Sequence, residues 1–229
     1  MVISMFKLLF CFTILFLPLS AFSIGMQPET TVLIINESTG EASIKVKNTN
    51  SEPSLLQTKI VDIDGFQKVG VFVSPAIVKL DPGDTQVVRF FINPSEKLKS
   101  QVLKRIRFIG LPARETSKKN NSALSLSIGQ NIPLIITTSK LKDEDSPWEY
   151  LKYHYNKKKV ILSNNSDYVV RLFPEVSINN KKMKISNSFI RPHGSLEIDF
   201  NDNPSILTIR PVGLYGDLRD EYKVEKYNP

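Results

Sequence analysis

The sequence predicts an all-β protein made of two immunoglobulin-like β-sandwich domains, and three observations carry that expectation. Short runs of alternating apolar and polar residues, separated by Asn, Asp, Gly, Pro and Ser clusters, recur at about the eight-to-twelve-residue spacing of sandwich strands. No segment behind residue 23 keeps a long helical period. The stretch SKLKDEDSP at 139–147 is charged, poor in apolar residues and closed by proline, so it reads as a linker between two strand sets.

Residues 1–23, MVISMFKLLFCFTILFLPLSAFS, place Lys7 before an apolar run and Ala21 and Ser23 at the spacing of a cleavage site. That is the pattern of a secretory signal peptide. The run is short of the roughly 20 apolar residues a spanning helix needs, and stable membrane insertion is not expected. The first domain is assigned to 24–138, with strands over 31–35, 42–47, 55–61, 76–80, 86–92, 103–111 and 124–136. Turns are read at 36–40, 48–53 and 81–84, where Asn, Asp, Pro and Gly gather. The second domain, 148–229, shows further runs over 151–155, 159–163, 168–176, 182–186, 195–200 and 206–212, then a final strand and loose tail over 221–229.

The only cysteine, Cys11, falls inside the signal. A mature chain therefore has no thiol, which excludes disulfides and cysteine-based zinc sites. Removal of Lys7 lowers the formal charge from +7 to +6; solvated lysines account for such an excess most simply, and export argues against nucleic acid as a partner. His154 and His193 are the only histidines and lack metal-ligand spacing, and the acids of 143–145 read as solvated linker charge. Hydrolase, zincin and phosphate-loop motifs are missing from the sequence. No catalytic residue, metal or cofactor is expected. Trp148, Tyr150, Tyr153 and Tyr155 read as packing beside the linker rather than as a sugar platform.

Several segments carry a family resemblance. VSPAIVKLDPGDTQVVRFF (73–91) sets Ser-Pro before a strand, an LDPG turn after it, and then an alternating strand bearing an arginine. KRIRFIGLP (104–112) precedes a polar loop, and ALSLSIGQNIPLII follows it. Pro147–Trp148, SNNSDYVVRL and TIRPVGLYGD complete the order. Together these resemble the periplasmic chaperones of pilus assembly in the chaperone-usher pathway. The resemblance implies two sandwiches set at an angle, a periplasmic location, and partners that are incomplete pilus or fimbrial subunits, handed on to an outer-membrane usher.

It also implies a site. In L-S-L-S-I the side chains of Leu124, Leu126 and Ile128 share one face of a strand. By itself such a row reads as the domain's own core; the KKNNS loop before it and the resemblance turn it into a donor strand for the subunit, ending near Ile132 because Pro133 cannot donate to a ladder. The donor stretch is thus 124–132, with 134–136 as core.

Members of this family commonly grip the subunit's terminal carboxylate with a basic pair. Here Thr31 or Val32 and Pro133 stand at those positions, and Gly110 and Thr137 lie near two positions of the usual interdomain ion pair. This departure resembles the archaic or alternative branch. Replacement anchors are then Arg105 and Arg107, turned away from core residues Ile106 and Phe108, with Arg89 and Lys104 as further candidates. Two other classes compete: a structural pilus subunit or adhesin, against which two strand sets and no mature cysteine weigh, and a carbohydrate-binding module, which lacks a convergent polar site.

Overall fold

The structure is a computed structural model and describes residues 25–93, 97–112 and 129–227. The signal segment and Leu124, Leu126 and Ile128 lie outside the described residues.

In the first half the strands are β1 (Met26–Pro28), β2 (Leu33–Asn36), β3 (Glu41–Asn48), β4 (Ser54–Val61), β5 (Val71–Ser74), β6 (Ile77–Leu80), β7 (Thr85–Ile92), β8 (Val102–Pro112) and β9 (Gly129–Thr137). They form one sheet in the order β1-β3-β7-β5 and a second in the order β2-β9-β8-β4-β6. Alternation explains the packing. In β3, Ile44 and Val46 turn inward while Lys45 and Lys47 face water; in β7, Val88, Phe90 and Ile92 turn inward around an outward Arg89. The sheets meet where Phe90 packs edge-on against Phe108, with ring centroids 6.5 Å apart.

The second half opens with a 3-10 helix, Pro147–Tyr150, followed by β10 (Leu151–Asn156), β11 (Lys159–Asn164), β12 (Val170–Ile178), β13 (Lys181–Lys184), β14 (Phe189–Ile190), β15 (Ser195–Asp199), β16 (Leu207–Pro211), β17 (Tyr222–Lys223) and β18 (Glu225–Lys226). Its sheets run β15-β11-β10-β18 and β13-β12-β16-β17, with β14 also on β12. Trp148, Tyr153, Leu162, Leu172 and Ile209 lie in its separate core. Both halves are all-β sandwiches, as expected.

Each sandwich contains the same polar clamp. Asn48, fully buried at the end of β3, donates to the carbonyls of Glu52, Leu80 and Asp81 and accepts from the Asn50 N–H. Asn164, fully buried at the end of β11, donates to Tyr168, Ile190 and Arg191 and accepts from Ser166. A carboxamide satisfies donor and acceptor demands at once, which a buried turn requires. The second clamp holds 164–168 in a turn, so β12 starts at Val170 rather than Tyr168. Farther along, the β12 register shifts between Leu172 and Val176, around Pro174, which has no N–H to give.

Three short strands escape sequence reading, β1, β5 and β14. None has enough residues to display a period, and they exist through pairing, β1 with β3, β5 with β7 and β14 with β12. Pro133 does not end a strand: it pairs with Arg105 inside β9, at the point just before β2 joins the other side.

The halves are joined by an apolar cluster of Val32, Leu103 and Ile135 from the first and Val169 from the second, with the Phe66 ring tilted against that of Phe189 at 5.9 Å. Gln101 reinforces the joint. Its N–H donates to the Asp167 carbonyl and its side-chain oxygen accepts from the Val169 N–H, both at 2.9 Å.

Candidate functional site

The site is built on the outward face of the β2-β9-β8-β4-β6 sheet. Because Ile106 and Phe108 are fully buried in the core, the two-residue period of β8 turns Arg105 and Arg107 outward. Across the sheet Arg105 stands between Val61 and Pro133, and Arg107 between Lys59 and Asn131. Among the described residues neither arginine forms an ion pair with a carboxylate.

Arg105 is half-buried at the junction of the halves, beside Arg171 of β12. The two line an open pocket of about 160 Å³, walled by Leu103, Pro133, Phe189 and Val212. The Arg171 guanidinium donates to the carbonyls of Gly213 and Leu214, at 3.4 and 3.0 Å. Burial lowers the pKa of both arginines, and the neighbouring Arg105 charge lowers that of Arg171 further, while Asp217 opposes the shift. Asp217 is itself bound to Arg219 at 2.6 Å. Two cations brought together without a carboxylate between them make a place for an anion. Carbonyls orient Arg171, so its geometry is set in advance.

Three sequence-based assignments are corrected. Lys104 shares the inward parity of Ile106 and Phe108; its side chain is 5% exposed and its ammonium is paired with Asp62. Arg89 lies on the other sheet, pointing away from the cleft, where it pairs with Glu41 at 3.0 Å and covers the Phe91 ring. Ile132 is a core residue, 7% exposed and paired with Ile106. Arg171 and Lys59 were not singled out from the sequence. The signal for Arg171 was weak: one arginine within a valine-rich strand, whose neighbourhood with Arg105 exists only once the halves are docked.

The edge of β9 supplies the remaining feature. β8 pairs with β9 from Gly129 to Ile136, whereas β2 joins its other side only from Leu134 to Thr137. Among the described residues, Gly129–Ile132 keeps one edge with which no strand pairs.

Comparison with known proteins decides the family. Residues 25–142 match the family described as Pili and flagellar-assembly chaperone, PapD N-terminal domain, and a fimbrial chaperone of Escherichia coli K12, YhcA, is 33% identical over 207 residues, 89% of each chain. The chain belongs to the pilus-assembly chaperones. Solved structures agree on the fold. The E. coli chaperone DraB superposes with a TM-score of 0.72 at 16% identity, over 89% of this chaperone and 97% of DraB. The Salmonella enterica chaperone SafB, solved in complex with the SafA pilin, gives a TM-score of 0.72 at 16% identity, over 90% and 98%.

Among the described residues the chaperone has no group of three or more His, Cys, Asp or Glu placed to hold a metal. No described helix is long and apolar enough to cross a membrane.

Proposed function

We propose that this chaperone is exported to the periplasm by residues 1–23, captures incomplete pilus subunits by lending them a strand, and passes them to an outer-membrane usher. The observation that carries the reading is the one-sided pairing of β9 before Leu134. An unpaired edge beside a sandwich is a template for another chain, and strand lending of this kind is a recognised mode of binding, for which chaperone–pilin pairs are a standing example. Continued at its two-residue period, the row Ile132, Leu134 and Ile136 reaches back to Ile128, Leu126 and Leu124. Those three apolar residues are the ones offered to the subunit. Each contributes at most about 1.5–3 kcal/mol on burial, against roughly 0.5–1.5 kcal/mol for a ladder hydrogen bond. Apolar fit supplies most of the affinity, and the backbone sets the register.

Arg105 and Arg171 hold the subunit's terminal carboxylate, with Arg107 in the next row outside them. Their replacement of the family's usual basic pair is supported by the absence of charge at Val32 and Pro133 and by the anion-seeking pair in the cleft. A pilus subunit, the competing class, needs a sandwich short of one strand. Here both halves close a full apolar core.

The test is co-expression of the full chain with candidate subunits from the same genome, followed by purification. A one-to-one complex is expected with the native chain, and its loss with Leu126→Asp. Retention of no subunit, or equal retention by Leu126→Asp, overturns the reading.

A further inference from the structure

A strand at the end of a sheet exposes a row of N–H and C=O groups, and folded chains blunt such edges with charge or proline. Most sheet ends here are blunted in that way: β1 carries Pro28, and β6, β13, β15, β17 and β18 each carry Lys, Asp or Glu. Only β2 and β5 carry neither. On β2, Ile34 is 37% exposed; on β5, Phe72 is 66% exposed, more than any other large apolar side chain among the described residues.

β5 pairs with β7 on one side, from Val71 opposite Ile92 to Ser74 opposite Arg89, and among the described residues no strand pairs with its other side. Its two faces differ. Val71 and Val73 pack against the core of the first sandwich, while Phe72 and Ser74 stand exposed on the outer face. We infer that β5 is the docking edge for a second copy of this chain, the two strands pairing antiparallel across a two-fold axis at Phe72. A slip of one residue would set an outer face against an inner one. With Phe72 opposite its own copy, Val71 meets Val73 on the inner side and Gly70 meets Ser74 on the outer. The two phenyl rings then form a cross-strand aromatic pair, a favoured contact between neighbouring strands. No free charge opposes the joint. The next outer positions, on β7, are Phe91, opposite Phe72, and Arg89, already paired with Glu41 at 3.0 Å.

A two-fold contact of this kind uses the same edge on both copies and closes at a dimer. An edge of 4 residues gives a contact at the small, transient end of the interface range, so the dimer forms at high concentration and parts on dilution. β5 and β6, joined through Pro75 and Ala76, end their sheets at one flank, whereas β2 and β9 lie at the opposite end of theirs. The dimer therefore leaves the free edge of β9 open, and the inference stands apart from the strand-lending reading.

The test is sedimentation velocity on the full mature chain from micromolar to millimolar concentration, beside Phe72→Lys and Leu126→Asp. A monomer–dimer equilibrium is expected for the native chain and unchanged for Leu126→Asp. Phe72→Lys removes the aromatic pair and sets two ammonium groups face to face, so its dissociation constant is expected to rise about 10-fold or more. Its circular dichroism is expected to match the native chain, because Phe72 is exposed. In Phe72→Cys, with no other thiol in residues 24–229, added oxidised glutathione is expected to take two electrons and two protons from the facing thiols and leave a covalent dimer. A native chain that stays monomeric throughout overturns the inference, as does a dimer that survives Phe72→Lys unweakened. Loss of the dimer in Leu126→Asp assigns the contact to the donor segment and overturns it equally.

Discussion

Arg105 and Arg171 show what one side chain contributes through its position. Burial lowers the pKa of both, the Arg105 charge lowers that of Arg171 further while Asp217 opposes the shift, and a carboxylate set between them is expected to relieve both. Charge-assisted hydrogen bonds of this type contribute about 1.5–3 kcal/mol, which is roughly 10- to 100-fold in affinity. Arg105→Ala and Arg171→Ala are each expected to weaken subunit binding by that factor, measured by titration calorimetry on the isolated complex. Arg89→Ala is expected to leave it unchanged, because Arg89 faces away from the cleft and is spent on Glu41 and Phe91. Equal losses from all three variants would show that only net charge matters. The parity of Arg105 and Arg107 was legible from Ile106 and Phe108 alone; that Lys104 turns inward to Asp62 was not, since a lysine at the end of a core row can bury its stem and send its ammonium out.

Among the elements, β9 has to serve two ladders with unequal reach. Its end is held by Glu37, just after β2, whose carboxylate accepts from the Leu98 N–H at 2.8 Å and the Ser139 N–H at 3.4 Å. These contacts, the Leu98 bond foremost, lower the Glu37 pKa. A carboxylate with a depressed folded-state pKa stabilises above its unfolded value, and that stability is lost as pH falls through the folded value. Glu37→Gln is therefore expected to reduce unfolding free energy at neutral pH, by less than about 1 kcal/mol because solvent screens the carboxylate. The difference between the two chains is expected to close as the pH drops below about 4.3, the ordinary glutamate value. Urea melts at neutral and acidic pH check this; a pH-independent difference would place the effect in packing. The long strands β3, β7 and β8 were visible as alternations, whereas β1 and β5 had too few residues to show one.

At the scale of the whole molecule, the cleft exists because the halves are docked by the cluster of Val32, Leu103, Ile135 and Val169. This joint is apolar burial, which salt does not screen. Val169 is 5% exposed, and Val169→Asn leaves an amide in that cluster at a cost of about 1–3 kcal/mol. The radius of gyration from solution scattering is expected to rise, and subunit affinity to fall with it, because Arg105 and Arg171 are no longer held together. Unchanged scattering with unchanged affinity would show that the joint is held elsewhere.

By itself the sequence determined the fold class and the face on which Arg105 and Arg107 stand, because strand period and turn chemistry are local and repeat every few residues. Ile132 as core, Arg89 on the far sheet and Arg171 beside Arg105 were decided only by tertiary structure. Each depends on which strand lies next to which and how two halves dock, and those contacts join residues far apart in the chain through apolar burial that carries no local signature.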